Sequence, residues 1–99
     1  MIEVEKSILV CIQIGNSDNK LTQEDWKNYC DTVQLFIEVW GNKVHFAAPS
    51  VGWQNWQNAC WVVECKQSFV ARLKADLVTV RKLLRQESLV WLEGTPEFI

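Results

Sequence analysis

The sequence predicts an α+β sandwich, a four-stranded antiparallel sheet with two helices packed on one of its faces. Three observations carry this reading. Four short segments have the period-two alternation or β-branched content of strands. Two longer segments repeat apolar residues at helical spacing. The order along the chain is strand, helix, strand, strand, helix, strand.

The first strand is Ser7 to Ile14, with Ile8, Val10, Ile12 and Ile14 on one face and Leu9, Cys11 and Gln13 on the other. Gly15-Asn16-Ser17-Asp18-Asn19-Lys20 is a turn cluster that ends it. Thr22 is placed to cap the first helix, and Glu24 and Asp25 put negative charge at its positive end. Trp26, Tyr29, Cys30, Val33, Ile37 and Trp40 form its apolar stripe, and Gly41-Asn42 stops it. Lys43 to Ala48 is the second strand, ended by Pro49, and Ala59 to Cys65 is the third. Between them lies the loop 50–58. Ser68 is the expected cap of the second helix, whose stripe is Val70, Leu73, Leu77, Val80 and Leu84. Ser88 to Glu93 is the fourth strand.

Two β-α-β halves joined through a hairpin form the ferredoxin-like arrangement, with strand order 4-1-3-2. Right-handed crossovers then put both helices on one face. That face is expected to carry Ile8, Val10, Ile12, Ile14, Val44, Phe46, Ala48, Trp61, Val63, Val90 and Leu92. The open face is expected to show Leu9, Cys11, Gln13, His45, Ala47, Cys60, Val62, Glu64 and Trp91, a mixture too apolar for wet surface. A second copy of the chain is the simplest cover for such a face, so a homodimer is expected.

A length of 99 residues is one domain's worth of chain, with 1–99 read as a single domain. At 48% hydrophobic and 22% charged, the composition is that of a globular protein. A net charge of −2 and the lack of any Lys/Arg run argue against a duplex nucleic-acid partner, which would need a basic surface. No apolar stretch is long enough for a membrane span, and the acidic, alternating N-terminus is not a signal peptide. A cytoplasmic protein is expected. The four cysteines, Cys11, Cys30, Cys60 and Cys65, sit inside apolar periodic segments and read as reduced thiols.

No catalytic or cofactor motif is present, so no cofactor is expected. The turn after the first strand has one glycine, not the spaced set of a phosphate-binding loop. Cys60 or Cys11 with His45, and Glu64 as orienter, is the only grouping for a small Cys/His enzyme, and no metal-ligand spacing supports a zinc site. The distinctive feature is the tandem Trp53-Gln54-Asn55-Trp56-Gln57-Asn58, in a chain with six tryptophans. Indoles stack on planar groups, and amides both donate and accept hydrogen bonds. The same residues also suit a plain structural role, anchoring a long connection.

The expected function is therefore capture of a small polar or planar ligand, such as a nucleotide, without catalysis. Trp53, Gln54, Asn55, Trp56, Gln57, Asn58, Arg85, His45 and Trp91 are the candidate binding residues. A ligand sensor, or a sequestering protein in microbial or viral conflict, would fit that role. The alternative is a protein-interaction or inhibitor subunit that uses exposed tryptophans and the open sheet face as anchors.

Overall fold

The computed structural model describes residues 5–16, 20–50 and 57–99. The element order is β1 (Ser7–Gly15), α1 (Gln23–Trp40), β2 (Gly41–Pro49), β3 (Asn58–Lys66), α2 (Gln67–Leu83) and β4 (Val90–Gly94). The strands form one antiparallel sheet in the order β2-β3-β1-β4. This is an α+β fold consistent with the ferredoxin-like sandwich, with the strand order expected from the sequence. Among the described residues, no helix is long and apolar enough to cross a membrane.

Alternation decides what is buried. Val10, Ile12 and Ile14 of β1 sit opposite Val63, Trp61 and Ala59 of β3, and all six are buried. Trp26, Tyr29, Val33 and Ile37 of α1 and Leu73, Leu77 and Val80 of α2 close over them to form the core. Both helices lie on this face. The Trp61 indole N–H donates to Gln34 of α1 at 2.7 Å, and Lys74 of α2 lies 5.3 Å from the ring centroid of Trp91, whose neighbour across the ladder is Ile12. The helices are tied to each other by Trp40, which donates to Asp76 at 2.8 Å and packs on Phe69.

The edge strands depart from the expected faces. In β2 the register shifts between Val44 and Phe46, so that Val44 lies opposite Val63 but Phe46 lies opposite Val62 and Ala48 opposite Cys60. A bulge puts an extra residue on one strand and reverses the alternation beyond it. Phe46 and Ala48 therefore move to the open face and Ala47 to the helix side. In β4, Trp91 pairs with Ile12 while Val90 and Leu92 pair with Gln13 and Cys11. Trp91 is thus on the helix-covered face, and Val90 and Leu92 are on the open one, the reverse of the expectation. On the open face Phe46 is 53%, Val90 52% and Leu92 66% exposed. The open face is not bare, because the Phe98 ring from the C-terminal tail lies 6.4 Å from His45 on β2.

Thr22 caps α1 as expected, its hydroxyl accepting from the Asp25 N–H at 3.1 Å. Gly41 ends that helix in extended backbone, not in a left-handed turn. A Cβ there would lie 2.6 Å from the Ile37 carbonyl oxygen and 2.8 Å from Val63, so close approach of helix to sheet excludes any side chain. The cap of α2 differs from the sequence reading. The helix starts at Gln67, which places Ser68 inside its first turn with no side-chain cap from Lys66. The segment before β1 does the capping instead: the Glu5 carboxylate accepts from the Ser68 N–H at 2.8 Å, and the Lys6 carbonyl accepts from the Gln67 N–H.

Those hydrogen bonds from Ser68 hold the Glu5 carboxyl below its ordinary value of 4.5. The depressed folded-state value means that this cap contributes fully above pH 4.5 and is lost as pH falls through the lowered value. Glu5→Gln should melt below the wild type at neutral pH, and the gap should close on acidification; melting temperatures of both proteins across that range check it.

Candidate functional site

Three connections meet at one end of the sheet: β1 to α1, β2 to β3, and α2 to β4. The antiparallel order requires this, because β1 finishes where β3 and β4 begin. The centre of this end is Asn16, only 2% exposed. Its carboxamide oxygen accepts from the Leu21 N–H at 3.0 Å, and its amide donates to the Leu21 carbonyl at 3.1 Å and to Gln57 Oε1 at 3.0 Å. The Asn16 backbone N–H donates to the Gln57 carbonyl at 2.8 Å. Gln57 and Gln23 exchange a reciprocal pair of amide hydrogen bonds, at 3.0 and 2.8 Å. The turn after β1, the start of α1 and the end of the 50–58 loop are thereby one hydrogen-bonded unit. Asparagine suits the position because its side chain satisfies a backbone donor and acceptor together.

Beside this unit is a cleft of about 520 Å³. Gln13, Lys20, Asn58 and Ser88 supply amide, ammonium and hydroxyl groups to it. The α2–β4 junction forms another wall, with Gln86 and Glu87 beside the apolar Leu89 and Val90. Gly15 allows Asn58 to approach, since a Cβ there would stand 2.8 Å from Asn58 Oδ1. A second cavity of about 290 Å³ is lined by Lys20, Asp25, Leu84 and Arg85, so Lys20 borders both.

Arg85 is the one described non-glycine residue with positive φ, at 57°. It ends α2 in a Schellman arrangement: the Gln86 N–H donates to the Arg81 carbonyl and the Arg85 N–H to the Lys82 carbonyl, both at 3.0 Å. Glycine is the usual residue there, and a side chain in this region costs about 1–2 kcal/mol. Arg81 reinforces the turn through its guanidinium, donating to the Gln86 and Glu87 carbonyls at 2.8 and 3.0 Å. Gln86 itself is nearly buried and donates to the Leu84 carbonyl at 3.3 Å.

The residues singled out from sequence are distributed unevenly around this geometry. Asn58 lines the cleft, and Arg85 lines the cavity next to it. Gln57 is committed to Asn16 and Gln23, which makes it a positioning residue. Trp53, Gln54, Asn55 and Trp56 lie outside the described residues. His45 stands in the middle of β2 on the open face, its Nε2 3.6 Å from Glu64 Oε1. Trp91, on the helix side, spends its indole N–H on Glu93 at 2.9 Å. Cys60 meets Cys11 and not His45, and burial raises its thiol above the ordinary 9.0, opposite to the shift of an activated nucleophile. Among the described residues no three metal-ligating side chains come together.

Gln13, Asn16, Lys20, Gln86, Glu87 and Ser88 stand outside the nine candidate binding residues. Their signal is in the topology, which puts the end of β1 and the 85–88 junction at the same sheet end.

No protein-family model matches the chain, and no curated protein matches it.

Asn16→Ala removes the partner of a buried N–H and a buried carbonyl at Leu21. Leaving such groups unpaired costs about 1–3 kcal/mol. The urea unfolding midpoint should fall accordingly with an unchanged slope.

Proposed function

We propose that this protein binds a small polar ligand, without transforming it, in the cleft at the sheet end. The observation that carries the reading is the cleft itself: about 520 Å³, bounded by the end of β1, Lys20, the start of β3 and the α2–β4 junction, and edged with amides, a hydroxyl and an ammonium group. Ligand pockets are concave, about 300–1,000 Å³, and combine apolar walls with a few convergent polar groups. Gln13, Asn58 and Gln86 can read donor and acceptor edges, and Lys20 in the cleft with Arg85 in the adjoining cavity favours a ligand with an anionic group such as a nucleotide phosphate. The described lining contains no Cys–His or Ser–His pair, and this favours recognition over nucleophilic chemistry.

The backbone strain at Arg85 supports the same reading. Non-glycine residues in this conformation cluster at functional sites. Arg85→Gly should raise stability by about 0.5–1 kcal/mol, since glycine adopts the conformation freely but loses more entropy on folding. The same substitution should weaken ligand affinity about tenfold, or about 1.4 kcal/mol. Titration of intrinsic tryptophan fluorescence with AMP, ribose and inorganic phosphate reads the affinity. A wild type that responds to none of the three would sink the proposal.

A second reading rests on the open face, where Phe46, Val90, Leu92 and Phe98 are all more than half exposed. We propose a second copy of the chain as its partner, since Lys43 and Glu64 give this face both charge signs at one end beside an apolar middle. Leu92→Lys should convert a dimer to a monomer in analytical ultracentrifugation. A wild type that stays monomeric at high concentration would rule this reading out.

A further inference from the structure

The open face holds a second cluster of reactive side chains, separate from the cleft. The β1–β3 register sets Cys11 opposite Val62 and Cys60 opposite Gln13, so the two cysteines are diagonal neighbours on the same face. Their Sγ atoms lie 3.7 Å apart, joined by a thiol–thiol hydrogen bond. Both are half-buried and free. The other two thiols are elsewhere: Cys65 is fully buried against the carbonyls of Trp40 and Lys66, and Cys30 lies on α1. This is the single pair among the four cysteines in mutual contact.

We propose that Cys11 and Cys60 form a reversible oxidation site that takes a low-molecular-weight disulfide as its co-substrate and ends as a cross-strand disulfide. One thiol loses its proton and attacks a sulfur of the small disulfide. A mixed disulfide forms, and the first small thiolate leaves. The second cysteine, 3.7 Å away, then loses its proton and attacks the protein sulfur of that mixed disulfide, expelling the second small thiolate. The protein gives up two electrons and two protons. The small disulfide accepts both and becomes two thiols.

The geometry sets the character of the product. The sulfurs must close from 3.7 Å to about 2.04 Å. Diagonal neighbours in an antiparallel pair have backbones about 7–8 Å apart, beyond the usual disulfide span of about 4.4–6.8 Å. The strands must shear slightly to make the bond, and a strained, half-exposed disulfide is easily reduced. That is the chemistry of a reversible mark and not of a structural staple. Burial and the Cys11 thiol push the Cys60 thiol up, so exchange is slow at neutral pH and accelerates as pH rises.

The test is to incubate the reduced, folded protein with oxidised glutathione at mildly alkaline pH, quench with acid, alkylate the remaining thiols and map the products by mass spectrometry. The expected product has lost two hydrogens, carries a Cys11–Cys60 crosslink, leaves Cys30 and Cys65 open to alkylation once the chain is denatured, and returns to the starting mass with dithiothreitol. Cys11→Ser and Cys60→Ser should each stop at the stable glutathione adduct of the remaining cysteine. Cys30→Ser should still form the crosslink. A wild type that accumulates the adduct without an internal bond, that crosslinks Cys30, or that keeps four free thiols overturns the proposal.

Discussion

The pairing of β1 with β3, from Ser7 opposite Lys66 to Gly15 opposite Asn58, governs every other feature of this molecule. Side chains alternate along a strand with a period of two, so this register puts Val10, Ile12, Ile14, Ala59, Trp61 and Val63 under the helices as a set. A slip of β1 by one residue would move Val10, Ile12 and Ile14 to the open face and put Leu9, Cys11 and Gln13 under the helices. The same register brings Asn58 to the cleft beside Gly15 and holds Cys11 against Cys60 on the far face. Core, cleft and thiol pair are three consequences of one ladder.

The tryptophans show how composition divides between structure and surface. Trp26 and Trp61 are buried, and Trp40 and Trp91 are partly covered by the layer they join. Three of the four donate their indole N–H to a side chain: Trp61 to Gln34, Trp40 to Asp76 and Trp91 to Glu93. A small domain buries a modest share of its surface, and large rings with a satisfied polar edge raise that share at few positions. Helix-to-sheet packing therefore accounts for four of the six tryptophans.

At the sheet end, rigidity and polarity coincide. Asn16 is bonded to Leu21 and Gln57, and Arg81 fixes the turn that places Arg85 and Gln86. Binding costs less entropy when the polar groups around a ligand are already held.

The sequence by itself determined the element order, the strand order, the stripes of both helices, the Thr22 cap and the inner faces of β1 and β3. These follow from period and from topology, which are local or combinatorial properties of the chain. Tertiary structure decided the faces of β2 and β4, because a bulge at His45–Phe46 and the docking of Trp91 beneath Lys74 depend on neighbours that the alternation cannot see. It decided the cap of α2, supplied by Glu5 from 63 residues away in the chain, and the reason for Gly41, which is the approach of Val63 and not a turn. It also decided the candidate site. Gln13, Lys20, Asn58, Gln86 and Ser88 are unremarkable polar residues in four separate segments, and only closure of the sheet brings them around one cleft.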